Sequence, residues 1–127
     1  IRSQLANIAR NLWSTPPDHG AAVVATILGD PELKNLWRDE VEAMRQRIAQ
    51  LRSGLLEALE PHGLRERFAH IGVQRGMFSY TGLGPEQVRQ LRDRHSVYMV
   101  GTGRANVAGI DATRLDLLAA AIADVCK

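Results

Sequence analysis

Apolar side chains recur at helical spacing along one uninterrupted stretch: Leu33, Leu36, Trp37, Val41, Met44, Ile48, Leu51, Leu55 and Leu59. That period is the signature of an amphipathic helix. The start signals agree, with Asp30 placed to cap, Pro31 at the first helical position and Glu32 at the positive end of the dipole. Pro61 and His62-Gly63 mark the stop. The pattern predicts one long helix over about residues 31–60, roughly 45 Å at 1.5 Å per residue. A compact domain of 127 residues has a radius of gyration of only about 14 Å. Such a helix outreaches the body it belongs to, so part of its apolar stripe must be covered from outside, by a second copy or by a missing N-terminal domain.

The flanking segments are shorter. Ile1, Leu5, Ile8 and Leu12 suit a helix over Ile1 to Asn11, and Pro16 and Pro17 end it. The loop from Trp13 to Gly20 is short and carries a tryptophan, which argues for order rather than a linker. Ala21 to Leu28 is small and apolar throughout, and reads as a short buried helix closed by Gly29. Its β-branched residues leave a strand open. Beyond the long helix, Ile71-Gly-Val-Gln and Met77-Phe-Ser-Tyr-Thr81 read as strands. Glu86 to Arg94 follows as a short helix, with Val88 and Leu91 inward, and then strands at Ser96 to Val100 and Arg104 to Ala108. A last helix begins near Asp111, with Leu115, Leu118, Ala119 and Ile122 on one face. The expected fold class is α/β: a small mixed sheet of three to four strands covered by helices.

Several chemistries lack their residues. His19, His62, His70 and His95 have no ligand spacing, and Cys126 is the only cysteine, so no metal site is expected. Neither Ser14 nor Ser79 sits in a nucleophile elbow. Gly101-x-Gly103 lacks the third glycine and the following helix of a dinucleotide loop. The two lysines, Lys34 and Lys127, lie near an exposed helix start and at the terminus, which are poor places to depress an amine pKa. Net charge is only +2, basic residues such as Arg45 and Arg47 alternate with Glu40 and Glu42, and aromatics are 5%, so no nucleic-acid partner is expected. No apolar run is long enough to span a bilayer, and no signal peptide is visible. A single cysteine suits a reducing, cytoplasmic setting. Ile1 is not an initiator methionine, so a processed chain or a fragment is expected.

What remains is anion recognition. Arg104 follows the Gly101-Thr-Gly103 bend between two short apolar runs. Glycine lets the backbone turn tightly, and guanidinium is a planar fork for a carboxylate or phosphate. The pattern alone leaves Arg104 as either an anion clamp or a surface arginine beside a turn. Arg10, at a helix end before the tryptophan loop, is a second candidate. Phe78, in the strand after Gly76, is either a pocket wall or ordinary core.

Four segments in order carry a resemblance: Arg10-Asn-Leu-Trp-Ser-Thr-Pro-Pro-Asp-His-Gly20, Met44-Arg-Gln-Arg-Ile48, Gly76-Met-Phe-Ser-Tyr-Thr-Gly82 and Gly103-Arg-Ala-Asn-Val-Ala-Gly109. They resemble the C-terminal part of the aspartate/aromatic subgroup of class I pyridoxal-phosphate aminotransferases, over the whole chain. The resemblance implies that Arg104 holds the substrate α-carboxylate and that Phe78 lines the substrate pocket. It implies that Arg10 reaches across a homodimer to grip the distal carboxylate of dicarboxylic substrates. It extends to Ser14, in the same crossing loop, as the sole candidate cofactor contact. It further implies that residues 1–30 end the large domain, and that residues 31–127 are the connecting helix and small domain. Many members have tyrosine where Trp13 stands, and Ser79-Tyr-Thr-Gly82 looks closer to aromatic-preferring members.

The family's Schiff-base lysine, phosphate-binding residues and pyridine-nitrogen aspartate belong upstream, so none is expected here and no catalytic residue is assigned. The implied parent enzyme exchanges amino groups between aromatic or acidic amino acids and 2-oxo acids with pyridoxal 5'-phosphate. The isolated chain is expected to be inactive, waiting on its missing N-terminal part. The alternative is a non-catalytic or regulatory α/β domain that binds a small carboxylate.

Overall fold

The computed structural model describes residues 1–15 and 17–127. They form two compact units, Ile1–Val41 and Glu42–Lys127, described separately below. The expected stop at Pro16 lies outside the described residues.

The first unit holds α1 (Arg2–Trp13), α2 (His19–Gly29) and the opening turns of α3 (Pro31–Leu59). The cap of α3 is the one its sequence specifies: Asp30 Oδ1 accepts from the amides of Glu32 at 2.8 Å and Leu33 at 3.1 Å. Trp13 lies at the end of α1 rather than in the following loop. Segment 21–28 is helical, as read, but it is not buried. No described residue of this unit is buried. Leu5, Ile8 and Leu12 of α1, Val23, Val24 and Leu28 of α2, and Leu33, Leu36, Trp37 and Val41 of α3 all remain exposed. The correction has a plain cause: an all-apolar helix is buried only if something packs on it, and nothing in this unit covers α2.

The second unit has the core. It contains the remainder of α3, α4 (Arg65–Phe68), α5 (His70–Val73), β1 (Phe78–Tyr80), α6 (Pro85–His95), β2 (Arg104–Asn106) and α7 (Leu115–Val125). The long helix is unbroken over 29 residues. It closes through a 3-10 turn at Glu60–His62 and Gly63 in the left-handed region, with Leu64 N donating to Leu59 O at 3.2 Å and Gly63 N to Glu60 O at 3.0 Å. Leu55 and Leu59 from α3 meet Phe68, Ile71, Leu83, Leu91, Ile122 and Val125 in one buried cluster.

The sheet is smaller than expected. Among the described residues, which are mostly helical, two antiparallel strands stand where three to four were expected from sequence. Ile71-Gly-Val-Gln is not a strand; Ile71 to Val73 lie in α5 and Gln74 follows as its C-cap. Phe68 and Ile71, three residues apart, are both buried while Val73 is 80% exposed, so helical spacing outweighs the β-branched residue types. Ser96 to Val100 is not a strand either. Its amides serve other ends: Val97 N bonds Leu91 O as α6 terminates, and Val100 N bonds Arg104 O. Only the start of the Arg104 to Ala108 run is a strand. At Asn106 the side chain accepts from Ala108 N at 3.1 Å and turns Val107–Gly109 into a 3-10 turn.

Gly103, in the bend before β2, is more tightly constrained than Gly76, in the bend before β1. Gly103 has φ +80°, and a Cβ there would come within 2.5 Å of Leu83 O. Gly76 has φ +81° but open space around it. Replacing Gly76 by alanine should cost about 1–2 kcal/mol of conformational strain. Gly103→Ala should cost clearly more, about 3 kcal/mol or above, because the neighbouring backbone must also move. Denaturant midpoints of the two variants check the ranking.

α6 and α7 are tied at their ends. Asp124 takes His95 Nε2 at 2.9 Å and Arg94 at 2.8 Å, and Gln87 Nε2 donates to Val125 O at 2.9 Å. The hydrogen bond from His95, then the Arg94 charge, holds the Asp124 carboxyl below its usual range. A carboxylate lowered on folding contributes stability above its unfolded pKa, and that contribution is lost as pH falls through the folded-state value. Asp124→Asn should therefore be less stable than the parent at neutral pH. The gap should close as pH drops below the carboxylate range, which paired denaturant titrations read directly.

Candidate functional site

β1 and β2 pair in the register Phe78 with Asn106, Ser79 with Ala105 and Tyr80 with Arg104. Alternate residues of a strand point to opposite faces. Phe78, Tyr80, Arg104 and Asn106 therefore share one face, all four exposed, while Ser79 on the other face is buried. Arg104 lies diagonally across from Phe78, its guanidinium carbon 5.0 Å from the ring centroid. A guanidinium over an aromatic face is attracted by the ring quadrupole, by about 0.5–1 kcal/mol at an exposed site. The ring supports one face of the fork and leaves its N–H edges available. Among the described residues Arg104 makes no ion pair. Phe78, at 46% exposure, is a surface wall rather than core.

The side chains that fix this platform are ones the sequence reading missed. Arg52, on α3, is 4% exposed. Its guanidinium donates to Ile71 O at 2.9 Å, Gly76 O at 2.8 Å, Phe78 O at 3.0 Å and the Ser79 hydroxyl. Burial pushes it below the ordinary guanidinium pKa, from a start so high that it stays charged. Arg47, five residues earlier on the same helix, donates to Ala108 O at 3.0 Å and Ile110 O at 3.3 Å, pinning the turn after β2. The signal for Arg52 was available: it follows Ile48 by four and precedes Leu55 by three, so a charged residue occupies the apolar stripe itself.

Arg10 and Ser14 belong to the Ile1–Val41 unit. Arg10 is in the last turn of α1, exposed, and its carbonyl accepts from Ser14 N at 2.8 Å. Ser14 has φ +57°, a region non-glycine residues seldom occupy. A cavity of about 600 Å³ in the second unit is lined by Thr81, Ala105, Asn106, Met99, Arg114 and Leu118 among others. Neither Arg104 nor Phe78 lines it. Lys34 and Lys127 are both exposed, so neither is placed to be desolvated as an imine-forming amine. Among the described residues no three metal-ligating side chains gather, and no helix is long and apolar enough to cross a membrane.

An exposed arginine on a two-strand platform, backed by an aromatic ring, presents N–H donors that an anion can accept, and comparison with known proteins assigns the chain to a family. The family described as aminotransferase class I and II matches residues 1–122, and the chain belongs to that family. Among its relatives is the aromatic-amino-acid aminotransferase of Pseudomonas aeruginosa, 74% identical over 99% of this chain and 32% of that protein. The aspartate aminotransferase of the same organism is 42% identical over 98% of this chain and 31% of its own length.

Solved structures agree. The aromatic-amino-acid aminotransferase of Burkholderia pseudomallei, covalently bound to pyridoxal phosphate, superposes with a TM-score of 0.92 at 46% identity, covering 98% of this chain and 31% of that one. A mitochondrial aspartate aminotransferase from Trypanosoma brucei gives 0.91 at 42% identity, covering 98% and 33%. The chain thus spans about a third of the length of these relatives. The alternative of a free-standing carboxylate-binding or regulatory domain gains no support from them.

Proposed function

We propose that these residues are the C-terminal, carboxylate-gripping part of a transaminase that moves an amino group between aromatic or acidic amino acids and 2-oxo acids. The observation that carries this is Arg104, exposed over Phe78 and without an acidic partner among the described residues. The 74% identity to an aromatic-amino-acid aminotransferase supports the substrate class. In this reading Arg104 binds the α-carboxylate through two parallel N–H donors, and Phe78 sets the plane of the fork. Fixing the carboxylate at two points orients the α-carbon, and orientation supplies a large part of an enzyme's rate advantage. Arg10 takes the distal carboxylate of acidic substrates, and Ser14 accompanies it toward the cofactor.

The cofactor proposed is pyridoxal 5'-phosphate. The lysines of this chain do not fit its imine, so its attachment is assigned to residues outside the chain, and these residues alone are proposed to be inactive. The N-terminal remainder of the enzyme and a second subunit are the proposed partners, in the cytoplasm. Residues 1–30 are read as the end of the large domain, and residues 31–127 as connecting helix and small domain. The uncovered apolar faces of α1, α2 and the start of α3 support an assembly in which other parts of the enzyme cover them.

Two substitutions in the full-length enzyme separate the roles. Arg104→Lys keeps the charge but loses the fork, and should lower kcat/KM by about a hundredfold for aromatic and acidic substrates alike. Arg10→Leu should lower it by a similar factor for acidic substrates only. Steady-state kinetics with phenylalanine and aspartate decide. Unchanged values for Arg104→Lys would overturn the α-carboxylate assignment, and equal losses for both substrates in Arg10→Leu would overturn the distal one.

A further inference from the structure

The outer edge of β1 has no neighbouring strand among the described residues, yet its outward carbonyls are bonded. Thr81 N bonds Gly103 O at 2.9 Å, and Val107 N bonds Met77 O at 2.9 Å, so the odd-numbered residues face β2. The carbonyls of Gly76, Phe78 and Tyr80 therefore point the other way. Side chains take them. Arg52 Nη2 forks across Gly76 O at 2.8 Å and Phe78 O at 3.0 Å, two acceptors spaced as a partner strand's amides would meet them. At the next position the Gln74 amide does the same work: its Oε1 accepts from Tyr80 N at 3.2 Å and its Nε2 donates to Tyr80 O at 3.3 Å. His70 Nε2 also lies 3.0 Å from Tyr80 O.

A charge is an expensive way to cover an edge. Arg52 has no carboxylate partner among the described residues, and burying an ion costs several kcal/mol unless its donors are satisfied. An apolar side chain would fill the space at lower cost but would leave the buried carbonyl of Ile71 and the part-buried carbonyls of Gly76 and Phe78 without their donor. What the guanidinium adds is rigid placement of the backbone at Phe78. The ring of that residue carries Arg104, and Tyr80, fixed by Gln74, stands opposite Arg104 in the register.

We propose that Arg52, assisted by Gln74, is a positioning residue for substrate binding: it replaces the missing strand, locks the Phe78 backbone, and so sets the aim of the Arg104 fork. This deepens the α-carboxylate assignment for Arg104 and rests on it. Arg52 itself touches no substrate.

The test uses the full-length enzyme carrying Arg52→Lys, Gln74→Leu or Arg104→Lys. It measures KM for phenylalanine and the inhibition constant of 3-phenylpropionate, a carboxylate without the amino group. Neither constant depends on the fraction of enzyme that is correctly folded, so a purely structural role would lower yield and thermal stability but leave both unmoved. Arg52→Lys keeps charge and bulk but cannot fork, and should raise both constants about tenfold, with kcat per folded site changing by less than about threefold. Gln74→Leu, on the half-buried end of the edge, should raise both about threefold, and it decides the matter where Arg52→Lys cannot be recovered folded. Constants within about twofold of the parent for these variants, beside raised ones for Arg104→Lys, would overturn the positioning role alone. Unmoved constants in Arg104→Lys would overturn the carboxylate assignment and this inference with it.

Discussion

A buried positive charge without a counter-ion among the described residues is the constraint from which the rest of the second unit follows. Arg52 is held by backbone carbonyls and a hydroxyl from three short stretches, at Ile71, Gly76 and Phe78-Ser79. These belong to segments with little regular structure of their own: a one-turn helix, a glycine bend and a three-residue strand. A two-stranded ribbon this short is not stable in isolation. Fastened to the 29-residue α3 by one guanidinium, it becomes a fixed surface. Charge-assisted hydrogen bonds are short and directional, so the same interaction that offsets the desolvation of Arg52 also removes the freedom of β1.

The second strand inherits that rigidity through close backbone approach. Gly103 sits where any side chain would strike Leu83 O, and its own carbonyl accepts from both the amide and the hydroxyl of Thr81, at 2.9 and 2.8 Å. Arg104 thus leaves a backbone bonded on one side to Thr81 and on the other to Val100. Arg47 holds the far end of the same run at Ala108 and Ile110. Two arginines of α3, five residues apart, therefore bracket the platform from beneath. Neither serves as a solvated counter-charge, unlike Arg45, which pairs with Glu42 on the exposed face. The clamp proposed for Arg104 requires donors that do not follow the ligand about, and this bracketing holds the backbone from which Arg104 rises.

How much of this was legible depended on whether the signal was local. The α3 start at Asp30-Pro31, its stop at Gly63 and the short helix at Pro85 were readable, because caps and apolar period act within a few residues; Asp111, read as opening the last helix, caps a 3-10 turn, and α7 begins at Leu115. The strands were over-read, because residue type alone does not pair a strand. Val97-Tyr-Met-Val100 has the right composition but no ladder among the described residues, and Ile71 is drawn into a helix by its spacing from Phe68. Arg104 and Phe78 were singled out from a turn pattern and a family resemblance, and they do lie together. Arg52 was passed over because charged residues on a helix are ordinarily solvated. Its position within the apolar stripe was the only clue, and its partners are 19 to 27 residues away in sequence.

The same distinction explains the first unit. Its helices carry local signals, a periodic apolar face in α1 and the Asp30 cap of α3, yet none of its described residues is buried. Local order without burial is not self-sustaining: short helices owe most of their stability to packing of the apolar face. The apolar stripe of α3 runs from this unit into the other, open at Leu36, Trp37 and Met44 and closed at Leu51, Leu55 and Leu59. One helix with one periodicity is thus core at one end and uncovered at the other. The sequence pattern is equally strong at both ends, so the difference lies in what is available to pack, not in the helix. The chain spans about a third of its relatives' length, and in the assembly proposed above the open half of the stripe is a core position covered by another part of the enzyme.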